Sequence, residues 1–275
     1  MRTPRPFKML MAALLVTAAT AILHNPAHAG RSCVEFKPDA VTVQKALTLA
    51  LHTREALEAS GAQIALVGRV GRDMSKQDLR YSHMAFALRD HPKGRWHLSH
   101  MLNQCATAES SLYDEGLGNF FLDDVFEFES IVVVPTPALQ ARLLAVAAGT
   151  LPLQLHEKSY SLIAHPYSAR HQNSNQWVLE QIAAALAPQG AVNNRAQAQQ
   201  VLRERGYVPS EIRIAPFERI GARLFAANVY FNDHSNEEMQ AGRYQAVTVE
   251  SVIRFLEQSR EQSQPGTRIQ LVKLP

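Results

Sequence analysis

The chain has 275 residues, 46% of them hydrophobic, and a formal net charge of +3. That surplus sits in the first 29 residues, where Arg2, Arg5 and Lys8 have no acidic counterpart; beyond them 25 basic residues face 25 acidic ones. A neutral chain without a Lys/Arg-dense stripe interleaved with aromatics lacks the electrostatic footprint of a nucleic-acid binder, and about 245 residues suffice for one large domain, or a domain with an appendage, around a proper core.

The first segment reads as a cleavable signal peptide. Its basic start is followed by an apolar run over residues 9–23, and Pro26-Ala27-His28-Ala29 supplies a small-x-small cleavage pattern, so that cleavage after Ala29 leaves Gly30 as the new N-terminus. The run is shorter than the roughly 20 residues of a transmembrane helix, and no second one follows, so no membrane span is expected after cleavage. An uncleaved anchor is the alternative. The expected location is the periplasm or the exterior, and the expected partner is an unidentified cell-envelope substrate or protein. In such a compartment the two cysteines, Cys33 and Cys105, are expected to form a disulfide, which constrains the unfolded chain by roughly 4 kcal/mol in the chain-entropy model; the competing reading makes Cys105 a catalytic thiolate.

Apolar residues over 41–57 recur at helical spacing and end at Ala59-Ser60-Gly61. Three strand-like runs follow, at 64–70, 79–88 and 95–102, separated by polar segments, as consecutive antiparallel strands would be. Residues 110–121 read as a short helix or helical turn. A β-branched strand over 128–134 is stopped by Pro135-Thr136-Pro137, with Thr136 capping a helix that runs to Ala148. Residues 160–172 are irregular. Helices are expected at 174–186, ended by Pro188-Gln189-Gly190, and at 195–205, stopped by Gly206. The remainder mixes strand-like pieces (212–214, 223–231, 244–249) with a last helix over 249–258. The expected class is α+β, an antiparallel strand meander packed with helices. Its parts are a signal peptide over 1–29, a core over 30–190, and a C-terminal extension over 191–275 packed on that core.

Three places carry potential chemistry. His83 lies within Arg80-Tyr81-Ser82-His83-Met84-Ala85-Phe86, on a strand face shared with the small Ala85 and Ala87, which leaves room for a ligand; a satisfied core histidine would look the same. On the next strand His97 and His100 point to opposite sides, and His100, with Trp96, Leu98 and Leu102, takes the more apolar one. A neighbouring histidine can orient His83 and fix its tautomer. The pair lacks a third and fourth ligand at useful spacing, so neither a metal nor another cofactor is expected. Asn173-Ser174-Asn175-Gln176-Trp177 opens a helix, where unpaired N–H groups and the positive dipole end stabilise an anionic nucleophile; Ser174 is either that nucleophile or only a cap.

Taken in order, the Ser-His-x-Ala-Phe strand, a neighbouring strand ending in histidine, a Ser-x-Leu-Tyr stretch, a β-branched strand, Tyr160-Ser161-Leu162 and Asn173-Ser174-x-x-Trp177 resemble the circularly permuted papain-like fold. That superfamily includes cell-wall amidases and endopeptidases and the lecithin–retinol acyltransferase group. Its histidine comes first, on a strand, and its nucleophile later, in Asn-Cys-x-x-Phe/Trp at a helix start. The resemblance, over roughly residues 64–186, implies His83 as base, His100 as the orienting residue and Ser174 as nucleophile; Tyr81, Asn173 and Trp177 are expected as binding residues. The chain departs from the pattern in placing serine where the cysteine belongs. A hydroxyl does not ionise near neutral pH, so His83 would have to take its proton during attack, or the site has lost chemistry and kept a pocket.

The start at Gly30-Arg31-Ser32-Cys33 and the segment Asn232-Asp233-His234-Ser235-Asn236-Glu237 resemble a bacterial family of secreted proteins of unknown function. Asp233 and His234 are either a polar turn or a second group of binding residues docked against the His83 pocket. Two functions therefore stand: an amide or ester hydrolase or acyltransferase working through Ser174, and a non-catalytic periplasmic binding or scaffold protein on the same fold. A metal-dependent hydrolase using His83, His100 and His234 is a third class.

Overall fold

A computed structural model describes residues 37–123, 126–225, 227–259 and 266–274. Helix α1 (Ala40–Ser60) is followed by β1 (Ile64–Val70), β2 (His83–His91), β3 (Gly94–Asn103), β4 (Ser110–Glu115), the short α2 (Leu117–Leu122) and β5 (Glu127–Val134). Next come α3 (Pro137–Ala147), the single turn α4 (Leu151–Gln154), α5 (Ser174–Leu186) and α6 (Arg195–Glu204). The chain ends with β6 (Ser210–Arg213), α7 (Pro216–Phe225), α8 (Asn236–Ala241), β7 (Arg243–Ala246), α9 (Val249–Gln258) and β8 (Arg268–Lys273).

The class is α+β, as expected from the sequence. Six antiparallel strands form one sheet in the order β4-β3-β2-β1-β5-β8, and β6 pairs with β7 in a second, two-stranded sheet. Because side chains alternate along a strand, the six-stranded sheet has two apolar faces, and both are covered. Ala65, Val67, Ala85, Ala87, Leu98 and Val132 pack with Leu49 and Leu57 of α1 and Phe120 and Phe121 of α2. Leu66, Met84, Phe86, Met101 and Val133 pack with Val178, Leu179 and Ile182 of α5. With cover on both sides every residue of β1 is buried, which explains its unbroken apolar run. Every residue of α5 is buried too, as befits a helix surrounded by protein. Each fully buried leucine in these layers contributes roughly 2 kcal/mol. At Gly68 a Cβ would lie 2.8 Å from Ile131 Cγ2 and 3.4 Å from Val249 Cγ1, so the approach of β1 to β5 and α9 depends on that glycine.

Local chemistry sets the helix ends. Asp39 caps α1 by accepting from the Thr42 N–H at 2.7 Å, and Gly61, at φ +70°, ends it in the left-handed region. Thr136 caps α3 as anticipated, accepting from the Leu139 N–H.

Four expectations change. Residues 110–121, read as a helix, split into β4 and α2, because Ser110–Glu115 find a ladder along β3 that outweighs their local preference. The strand expected from 79 begins only at His83: the N–H groups of Arg80 and Tyr81 are both taken by Glu250 Oε1, at 2.7 and 2.9 Å, and are lost to the sheet. The strand expected over 223–231 is overridden at its start by α7, which begins at Pro216 with Glu218 accepting from the Ala215 N–H. Finally, β8, absent from the sequence reading, pairs with β5 from Glu129↔Lys273 to Val134↔Arg268. The part after residue 190 shares the main core through Ala198, Leu202, Val252 and Phe255.

The signal segment, Gly30 and Cys33 lie outside the described residues, and with Cys33 so does its pairing with Cys105. Among the described residues no helix is long and apolar enough to cross a membrane.

Candidate active site

The start of β2 meets the N-terminus of α5. Asn173 is the cap of α5: its Oδ1 accepts from the Gln176 N–H at 2.8 Å, and its Nδ2 donates to the Val247 carbonyl at 3.1 Å. Ser174 is therefore the first helical residue, and its hydroxyl has no capping duty. It points instead at His83, with Oγ 3.0 Å from Nδ1. His83 Nε2 is 2.8 Å from His100 Nδ1, across two neighbouring strands. His100 Nε2 lies 3.0 Å from Glu115 Oε1 at the end of β4, an ion-pair distance whose direction is off the line of a hydrogen bond. The arrangement is nearly dry: Ser174 and His83 are each 6% exposed and His100 is 0% exposed.

These contacts accommodate the proton order that attack by Ser174 requires. For Ser174 to donate to His83 Nδ1, the proton of His83 must sit on Nε2, where it is donated to His100 Nδ1, and His100 then carries its proton on Nε2, towards the Glu115 carboxylate. Both rings are neutral in this order. For His83 that state is enforced: burial first, then the Arg69 guanidinium and then His100, hold its pKa well below the usual histidine value. The room that Ala85 and Ala87 leave beside His83 is filled by Phe120, whose ring centroid is 5.8 Å from that of His83 and 5.5 Å from that of His100. Arg69 lies over the Phe120 ring at 4.6 Å and pairs with Asp123 at 3.1 Å. Tyr160 lines the same cavity as Ser174 and His83, and burial raises the pKa of its phenol, so it stays protonated.

Two recesses meet at Ser174, sharing Met74, Ser82, Tyr160 and Leu162. One, of about 120 Å³, contains His83 and has a mixed wall, with Arg69, Asn103, Asp123 and Asn228 beside Met74, Leu102 and Leu162. The other, of about 80 Å³, lacks His83 and is more apolar, walled by Leu79, Ile163, Ile212, Ala246 and Val247 together with Asn173, Asn175 and Thr248.

Of the residues singled out from the sequence, Ser174, His83 and His100 come together, and Asn173 and Tyr81 border the second recess, Tyr81 with its hydroxyl 2.9 Å from Glu129. Trp177 does not join them. It is buried one turn into α5, donates from Nε1 to the Pro152 carbonyl at 3.0 Å and packs edge-on against Phe86. Asp233 and His234 border neither recess; Asp233 Oδ2 accepts from the His165 N–H, and His234 Nε2 lies 2.8 Å from the Ile163 carbonyl, so the two brace the loop that carries Leu162. Sequence reasoning missed Glu115, Tyr160, Asn103 and Asn228. Glu115 had a signal: reading 110–115 as a strand opposite β3 pairs His100 with Tyr113, which sets Glu115, two residues on, on the same face. Among the described residues no three of His, Cys, Asp and Glu are grouped to hold a metal.

Residues 56–256 match a family described as an uncharacterised protein conserved in bacteria (DUF2145), and the chain belongs to that family. No curated protein and no solved structure matches it.

Proposed function

We propose that this member of an uncharacterised bacterial family is an exported hydrolase or acyltransferase that cleaves amide or ester bonds through Ser174, on a permuted papain-like scaffold. The observation that carries the reading is the imidazole of His83 bonded at both nitrogens, to the Ser174 hydroxyl on one side and to His100 on the other. A histidine that is neutral at neutral pH and hydrogen-bonded on its far side can take the serine proton as a general base.

In the reaction, Ser174 Oγ bonds to the substrate carbonyl carbon as its proton passes to His83 Nδ1. The positive imidazolium is then stabilised through Nε2–H by His100, and beyond it by the Glu115 carboxylate. The carbonyl oxygen becomes an oxyanion facing the N–H groups of Ser174 and Asn175 at the start of α5, which have no intrahelical acceptor, and the Tyr160 hydroxyl beside them. As the bond to the leaving nitrogen or oxygen breaks, His83 gives it the proton. Water, or an acceptor hydroxyl or amine, then attacks acyl-Ser174, again losing a proton to His83, which returns it to Ser174 Oγ as the acyl group leaves.

Incubating the protein with a fluorophosphonate and measuring intact mass tests the reading. One adduct that disappears in Ser174→Ala is expected, and an unlabelled wild type overturns it. The 6% exposure of Ser174 favours the alternative, a non-catalytic binding protein on this scaffold, in which no adduct forms.

A further inference from the structure

The two recesses that meet at Ser174 differ in one respect that matters for chemistry: only one of them contains His83. The base that takes the serine proton must hand it to the leaving group, so the leaving group has to depart on the histidine side, and the acyl group has to occupy the other side. Resting on the acyl-transfer reading above, we infer that the substrate joins a short apolar acyl group to a polar, hydrogen-bonding leaving group. The second recess favours short acyl groups over long ones.

The acyl recess sets the first half of that statement. Its volume of about 80 Å³ corresponds to roughly three water-sized groups, enough for an aliphatic group of a few carbons. Ile212, Ala246 and Val247 line it, and Ile212 and Ala246 belong to a compact cluster with Phe231 and Tyr244. The other recess sets the second half. Asn228 donates from Nδ2 to Asn103 Oδ1 at 2.9 Å, and Arg69 and Asp123 stand behind His83. A hydrocarbon placed there would strip water from these groups without replacing their hydrogen bonds, whereas an amide or hydroxyl substituent would not. Small aliphatic residues in peptide linkage to a polar residue have this chemistry.

The test compares hydrolysis of p-nitrophenyl acetate, butyrate, octanoate and palmitate by wild type, Ser174→Ala and Ala246→Leu, and then of the butyramides of glycinamide and pentylamine. Butyrate should exceed octanoate and palmitate at least ten-fold in kcat/KM, with turnover lost in Ser174→Ala. Ala246→Leu should shift the butyrate-to-acetate ratio about ten-fold towards acetate, and the glycinamide derivative should be the better amide. A Ser174-dependent preference for octanoate, palmitate or the pentylamide would overturn this inference and leave the nucleophile standing. Turnover that is absent, or that survives in Ser174→Ala, would overturn both. The wild-type chain-length series decides the matter even if Ala246→Leu does not fold.

Discussion

Ser174 and His83, 91 residues apart in the chain, stand 3.0 Å apart at the junction of a strand start and a helix start. The same geometry that lets an imidazole deprotonate a hydroxyl would ionise a thiol. Ser174→Cys should therefore be alkylated by iodoacetamide at pH 6 at least ten-fold faster than the same cysteine in a Ser174→Cys/His83→Phe background, because the isolated thiol, with a pKa near 8.5, is almost wholly protonated there. Equal rates would mean that the contact has no functional consequence. In the serine protein, His83→Phe should lower kcat/KM by about 10²- to 10⁴-fold, the usual worth of a general base.

The depressed pKa of His83 makes a second prediction. The acid limb of kcat/KM, which reports the free enzyme, should fall well below pH 6.5, since His83 stays neutral there. Stability should follow the same group. The folded value lies below the unfolded one, so the folded state resists protonation that the unfolded state accepts; stability is full above about pH 6.5 and declines as pH falls from there towards the folded value. Urea denaturation of wild type and His83→Phe between pH 5 and 7.5 checks this, the variant losing part of the slope. A wild-type activity already halved at pH 6.5 would contradict it.

Behind Ser174 lies a charged support. Glu180, wholly buried in α5, accepts from Arg195 Nε at 2.9 Å, Gln199 Nε2 at 2.9 Å and Gln172 Nε2 at 2.7 Å, and Gln172 Oε1 in turn accepts from the Glu157 N–H. Burial raises the Glu180 pKa, and Arg195 opposes that rise. Glu180→Ala would leave the Arg195 charge buried without its partner. The expected cost is about 3–5 kcal/mol, or a melting temperature lower by roughly 10 °C for a chain of this size. A change within 2 °C, measured by calorimetry, would show that the group is not structural.

Export makes the fourth prediction. Protein recovered from the periplasm or medium of an expressing bacterium should lack residues 1–29 and begin at Gly30, and its mass should rise by two alkyl groups only after reduction, as a Cys33–Cys105 disulfide requires. Intact mass spectrometry reads both. A chain that retains Met1, or that alkylates without reductant, would refute the corresponding half.

The site was largely legible in the sequence, and the fold somewhat less so. His83, His100 and Ser174 could be singled out because each combines an unusual residue with a regular element: a histidine in an apolar strand, a second beside it, and a serine at a helix start. Asn173 takes the cap role that Ser174 could have filled, which a helix-start pattern containing both residues could not decide. Glu115 escaped notice because Ser110–Glu115 has a strand's partner but not a strand's composition. Strand β8 escaped because Arg268–Lys273, although it carries Ile269, Leu271 and Val272, is mostly exposed and is placed only by its pairing with the distant edge of β5. Trp177 satisfies a motif position and yet serves the core, since at that point the helix turns its face away from the recesses.

The sheet order β4-β3-β2-β1-β5-β8 also governs when the molecule can close. Strands β1 to β5 are made in one stretch and can zip together early, but the outer edge of β5, with Ile131, Val132 and Val133, has no neighbour until residues 268–273 have been made. During synthesis, or passage through a membrane channel from the N-terminal end, that edge is an open template for pairing with another chain. A chaperone that shields extended apolar segments would be needed longest at β5, and shortening the chain before residue 268 would turn a transient exposure into a permanent one.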